Sequence, residues 1–155
     1  MNFYHINLSD ITLSNIKKHN DIKYFNIYYL NSPLILSCSN LKFSKYIENY
    51  DHYIVSFIIT DKDLYNFIEN INIKIIDYIH DKCFTIFSES FDKEKIKNLF
   101  FSNLKIIENT FYLDIKTYSI DQLKNKNINE NINIEIKILG VWIFKNMFGI
   151  TFEEN

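Results

Sequence analysis

The stretch "IKILGVWIFKNMFGITF", Ile136 to Phe152, holds the only tryptophan and both glycines of a 155-residue chain. Its β-branched and aromatic residues on either side of Lys145-Asn146 predict two strands joined by a turn. Gly140 inside a strand predicts a bulge or a close backbone approach that lets a sheet curl. Gly149 suits a positive-φ position closing the turn Lys145–Phe148. If alternation runs unbroken, Ile136, Ile138, Trp142 and Phe144 share one face, and Lys137, Leu139, Val141 and Ile143 share the other. A bulge would shift that register by one. Trp142 is therefore either the closing core residue of a barrel or a stacking platform, and the core placement is the preferred one.

Working outward, "DIKYFNIYYL" (Asp21–Leu30) and "PLILSCS" (Pro33–Ser39) read as strands separated by the turn signal Asn31-Ser32-Pro33, and "HYIVSFII" (His52–Ile59) as a third. Thr60 and Asp63 form a capping box, with Ile59 and Leu64 as its hydrophobic staple. Leu64, Phe67, Ile68, Ile71, Ile75, Tyr78 and Ile79 then recur at helical spacing. A shorter helix is signalled at Asp92, followed by strands near Leu104–Ile107 and Phe111–Thr117. A polar loop covers about 119–131, and "INIEIKI" (Ile132–Ile138) opens the final hairpin. No repeat or linker divides the chain. The expectation is a single α+β domain over residues 1–155, a curled antiparallel sheet or barrel with two helices packed on one side.

Composition excludes disorder: 47% of residues are hydrophobic and 17% aromatic. All seventeen basic residues are lysine, and neither alanine nor arginine occurs. The dominance of Asn, Ile, Lys, Tyr and Phe follows AT-rich codons and points to an AT-rich genome. Net charge is −2, unevenly spread. Residues 51–81 carry six carboxylates against two lysines, so a basic face opposite an acidic helix is expected. The N-terminal "MNFYHINLSD" lacks the features of a signal peptide and no apolar run would span a membrane. A soluble protein with reduced thiols in the cytoplasm is expected.

Chemistry-bearing motifs are few. His80-x-x-Cys83 has metal-like spacing but no second pair to complete a tetrahedral site, so no metal or other cofactor is expected. Asp61 and Asp63 are explained by helix capping. Two glycines cannot make a phosphate loop or nucleophile elbow, and the chain reads as a non-enzyme. What remains is lysine beside aromatic residues: Lys42 before Phe43, Lys116 before Tyr118, and Lys145 after Trp142 and Phe144. Single-strand binding needs both components, cations along the backbone path and rings for the bases.

Four stretches, in order, resemble the single-stranded-DNA-binding proteins of nucleocytoplasmic large DNA viruses: "LNSPLILSCSNLKF", "YIVSFIITDKDLYNFIENINIKIIDYIHDKCFTIF", "FDKEKIKNLFFSNLK" with "FYLDIKTY", and "INIEIKILGVWIFKNMFGITFEE". The likeness spans roughly residues 30–154, and AT-rich cytoplasmic linear plasmids of yeast are related sources. It implies an OB-like fold that binds single-stranded DNA at viral or plasmid replication sites in the host cytoplasm. The residues expected to carry binding are Lys116, Lys137, Lys145 and Lys42 on phosphates. Phe148, Tyr118 and Phe43 are the expected rings, Phe148 because a large aromatic at a turn tip has little core to enter. The acidic tail "FEEN" is a candidate contact for replication proteins. The alternative is a non-catalytic interaction subunit of a viral replication or transcription complex, which the acidic total favours.

Overall fold

The computed structural model describes residues 2–155. After two single-turn 3-10 helices, Phe3–His5 and Leu8–Asp10, come five strands: β1 (Ile11–Leu13), β2 (Lys17–His19), β3 (Ile22–Tyr29), β4 (Ser32–Asn49) and β5 (His52–Ile59). Three helices follow, α1 (Lys62–Asp81), α2 (Cys83–Phe87) and α3 (Lys93–Leu99). The chain ends with β6 (Phe100–Phe101), β7 (Leu104–Ile107), β8 (Thr110–Thr117), β9 (Asn131–Phe144) and β10 (Met147–Glu154). The architecture is mixed α+β, a strand-rich curled sheet with three helices rather than the two expected.

Five of the strands close into a ring. β4 pairs antiparallel with β5 and with β9, β5 with β8, and β9 with β10. β8 and β10 close it side by side in parallel, so the sheet is not purely antiparallel. The ring interior is filled from every strand, by Leu34, Leu36, Phe57, Leu113, Ile136 and Ile150 among others. β3 runs along β9, β1 and β2 flank β3, and β6 and β7 extend β10 and β8. Curling burial into a closed ring leaves few exposed edges, which is how such sheets avoid edge-to-edge association.

Turn chemistry sets the registers. Two-residue turns need left-handed residues to match strand twist. Here they are Asn20, the pair Leu30–Asn31, Tyr50, the pair Glu108–Asn109, and Lys145, all at positive φ. The first break therefore falls at Leu30–Asn31, and Pro33 lies inside β4. That strand is eighteen residues long, far longer than Pro33–Ser39, because register shifts at Cys38/Leu41 and Phe43/Lys45 bend it around the ring.

α1 is capped one residue later than Thr60. Asp61 accepts the N–H groups of Asp63 at 2.8 Å and Leu64 at 3.4 Å, and Tyr4 donates its hydroxyl to the other oxygen at 2.8 Å. Leu64, Phe67, Ile68, Ile71, Ile75 and Ile79 form the buried stripe of the helix, so the helical period holds despite the β-branched residues. α3 starts where the sequence indicates, with Asp92 accepting from Lys95 N.

The decisive correction lies in β9. Opposite β10, Thr151 pairs with Gly140 and Phe152 with Ile138, leaving Leu139 as an extra residue. Before it Ile136 and Ile138 point inward; after it Val141 and Ile143 do. The bulge moves Trp142 to the outside, half-buried, against the preferred core placement. The two glycines also separate in role. A Cβ on Gly140 would lie 2.3 Å from the Phe25 carbonyl oxygen, so Gly140 permits close approach of β3. Gly149 has no positive φ; the left-handed turn residue is Lys145. A Cβ on Gly149 would instead lie 2.8 Å from the Trp142 ring, so this glycine makes room for the indole.

Candidate nucleic-acid interface

Cross-strand register decides which side chains share the outer surface. On β5 and β8, Ile54 faces Lys116, Ser56 faces Asp114 and Ile58 faces Tyr112, all outward, because Val55, Phe57, Leu113 and Ile115 fill the ring. On the other side of the closure, Tyr24 of β3 pairs with Trp142, and Trp142 with Gly149. Gly149 pairs in turn with Phe101. With no side chain at Gly149, the Trp142 and Phe101 rings approach to 6.3 Å between centroids.

These two outer faces meet in a groove of about 370 Å³ lined by Asn49, Ile54, Asn103, Lys116, Thr151, Phe101 and Trp142. A second cleft of about 170 Å³, lined by Tyr24, Asn26, Gly140, Trp142 and Thr151, continues past the indole. Trp142 and Thr151 line both, so the path crosses the strands from β5 to β3. A larger cavity of about 670 Å³ lies between β4, β9 and the first residues. Its charged lining residues, Asp61 and Glu135, are both acidic, which disfavours a phosphate there.

The floor of the groove is polar, and all but one of its buried side-chain groups are paired: Asn103 Oδ1 has no hydrogen-bond partner. Asp114 accepts the Ser56 hydroxyl at 2.6 Å and is ion-paired to Lys105. Asn103 donates its side-chain amide to the Asp114 carbonyl at 3.1 Å. Lys116 Nζ lies 4.6 Å from the centroid of the Tyr118 ring, and Tyr118 is 57% exposed. A cation held on an exposed ring beside an apolar wall is the local arrangement that stacking and phosphate contact require.

The residues expected to bind divide into three groups. Lys116 lines the groove, and Tyr118 stands beside it against the Lys116 ammonium. Lys145 occupies the β9–β10 turn with Nζ 5.3 Å from the Phe144 ring, Lys137 faces outward on β9 in register with Glu153, and Lys42 pairs with Ile58 and Asn131; none of the three lines the groove. Phe148 and Phe43 are corrected: both are core. Phe148 has no exposed surface and packs 5.3 Å from Phe100, while Phe43 is 5% exposed opposite Phe57. A turn-tip aromatic does have a core to enter here, because β10 begins inside the ring at its first buried residue.

Sequence reasoning missed Phe101, Tyr24, Ile54 and the outward placement of Trp142. The one available signal was a glycine opposite the tryptophan in the hairpin. Among the remaining motifs, Cys83 accepts the Phe91 N–H at 3.4 Å and is buried. Burial pushes the Cys38 thiol up to about 12. Among the described residues no three His, Cys, Asp or Glu side chains converge as metal ligands, and no helix is long and apolar enough to cross a membrane.

No family model, curated protein or solved structure matches this chain.

The tail "FEEN" is tied into the sheet. Glu154 accepts the Thr117 hydroxyl at 2.6 Å, and the Asn155 N–H donates to the Glu135 carbonyl at 3.0 Å. Glu153 lies in register between Lys137 on β9 and Lys116 on β8, an acid between two proposed phosphate contacts.

Proposed function

We propose that this chain is a non-enzymatic single-stranded-DNA-binding protein with an OB-like barrel, serving replication of a viral or plasmid genome in the cytoplasm. The observation that carries the reading is the coincidence of strand order and surface. Numbered along the chain, the ring strands β4, β5, β8, β9 and β10 are 1 to 5, and around the ring they run 1-2-3-5-4. OB-folds are five-stranded Greek-key barrels that bind oligonucleotides on strands 2 and 3, flanked by the 1–2 and 4–5 loops. The corresponding features are the β5–β8 face, the Tyr50–Asp51 turn and the Lys145–Asn146 turn. The groove borders that face at Ile54 and Lys116 and continues over β9 and β10. The resemblance of the C-terminal stretches to the viral single-strand binders supports the same reading.

In this function Trp142, Phe101 and Tyr118 stack on bases, and Lys116 neutralises phosphate, with Lys145, Lys137 and Lys42 extending the cationic path. Trp142→Ala should remain folded, since the ring lies outside the core, and should weaken oligo-dT binding by about 1–3 kcal/mol whatever the base. Lys116→Ala should weaken it uniformly and lower the salt slope by about 0.7. Titration of labelled oligo-dT reads both, and folded variants that bind like the parent remove this groove from consideration. Glu153 opposes phosphate between Lys116 and Lys137. Glu153→Gln should therefore tighten binding about threefold at low salt, as expected for removing one screened charge. Equal or weaker binding would show that the acid is a structural strand end.

A second reading, a protein-interaction subunit, is favoured by one observation. Ile22, Phe144 and Met147 are register neighbours at one end of β3, β9 and β10, and each is more than two-fifths exposed. Exposed apolar neighbours of this kind mark contact surfaces.

A further inference from the structure

The hairpin joining β4 and β5 brings a histidine to the mouth of the groove. His52 Nδ1 lies 2.8 Å from Asp51 Oδ1, and Nε2 lies 3.3 Å from Asn49 Nδ2. The ring stands at 64° to that of Tyr118, with centroids 6.4 Å apart. Tyr118 in turn carries Lys116 Nζ on its face. His52 is 17% exposed while Asp51 is 81% exposed.

The hydrogen bonds define what each protonation state does. In the neutral ring Nδ1–H donates to Asp51 and Nε2 accepts from the Asn49 amide, so both nitrogens are satisfied. The Asp51 carboxylate then stays uncompensated beside the groove. The His52 hydrogen bond holds its carboxyl below the usual range, with Lys116 adding to the effect. In the protonated ring Nε2–H becomes a donor. The Asn49 amide must turn its oxygen toward it or yield to another acceptor, and the imidazolium charge cancels that of Asp51.

The other charged groups near this ring do not replace it. Lys116 and Tyr118 come from the β8 side, and Glu153 of β10 lies in register with Lys116. Glu48 pairs with Tyr53, whose side chain alternates to the other face of the hairpin. Without imidazolium, Asp51 and Glu153 oppose the single cation Lys116.

We infer that Asn49, Asp51, His52 and Lys116 form a phosphate subsite that a DNA backbone occupies when His52 is protonated. The inference rests on the single-strand reading above. Histidine is the side chain best suited to gain and lose a charge near neutral pH, so a phosphate held at this ring makes DNA affinity depend on pH.

The test is titration of labelled oligo-dT with the full chain at about pH 6 and pH 8, at fixed ionic strength. The parent should bind about three- to tenfold tighter at the lower pH, the scale of one partly screened charge near a phosphate. His52→Gln should bind equally at both pH values, losing the parent's gain at the lower one. Asp51→Asn should bind tighter than the parent at pH 8, with folding of each variant confirmed by circular dichroism. Equal parent affinity at both pH values, or a pH effect that survives in His52→Gln, overturns the subsite while leaving the single-strand reading intact. No parent binding at either pH overturns both.

Discussion

Phe148→Ala is expected to lower folding stability by about 3–5 kcal/mol, the range for removing a buried phenylalanine. The ring has no exposed surface, packs against Phe100 and pairs across the hairpin with Ile143. Truncation empties the ring interior at the point where β9 turns into β10, and the surrounding strands are tied by hydrogen bonds on both sides. Their limited freedom to collapse places the cost toward the upper part of the range. Urea or thermal unfolding measures it. A variant that melts like the parent contradicts the inward placement of β10 and restores Phe148 as a surface ring. Trp142→Ala is the matched control, because that ring belongs to the same hairpin but lies outside the core.

Ile71→Ala is the second large expected loss, about 2–5 kcal/mol. Ile71 is 1% exposed in the middle of the α1 stripe, between Ile68 and Ile75, which are both fully buried. The helix has many β-branched residues, so its own propensity is modest despite the favourable acids at its start. Its stability comes from this buried face. The aromatic contacts along α1, Phe67 with Phe3 at 5.9 Å and Tyr78 with Phe25 at 5.1 Å, join the helix to segments far away in sequence. Loss of Ile71 should therefore lower the melting temperature of the whole domain in one transition. A separate early transition, with the sheet intact, would show that α1 is an appendage.

What could be read from the sequence follows the physics of local periodicity. The α1 stripe is a 3.6-residue repeat, and the Asp92 cap is a local hydrogen bond, so both are visible without tertiary information. The strands β3, β5, β7 and β8 were visible for the same reason, as short apolar or alternating runs between turn residues. β4 was cut short because its later part loses alternation at two register shifts, and its final residues, Lys45–Asn49, are exposed. α2 is a single turn or so with no side-chain cap, and nothing local announces it. The candidate site suffered most from one residue. Gly140 signals a bulge, but not on which side of it the extra residue falls. Placing that residue at Leu139 exchanges the roles of Trp142 and Phe148. Lys116 and Tyr118 were legible because a lysine and an aromatic stand two residues apart where β8 (Thr110–Thr117) runs out into the polar loop.

The groove also explains how a chain of net charge −2 could bind a polyanion. Five of its carboxylates, Asp61, Asp63, Glu69, Asp77 and Asp81, cap or lie along α1, whereas the groove is built from β5, β8, β9 and β10. Local field rather than total charge governs association at close range, and charges beyond a screening length of about 8 Å matter little at physiological salt. The carboxylates that remain near the groove are Asp51, Asp114 and Glu153. Asp114 is ion-paired to Lys105, which leaves Asp51 and Glu153 as the acids that would oppose phosphate under the proposed function.

The most direct test of the central claim is fluorescence-polarisation binding of the purified chain to labelled oligo-dT and to duplex DNA at about 50 and 200 mM salt. Oligo-dT binding is expected to weaken with salt, by a slope of about 0.7 per phosphate contact, and duplex binding to be weaker, because duplex bases are not free to stack on Trp142, Phe101 and Tyr118. Oligo-dT binding that is absent, or indifferent to salt, would contradict that claim and leave the protein-interaction reading in its place.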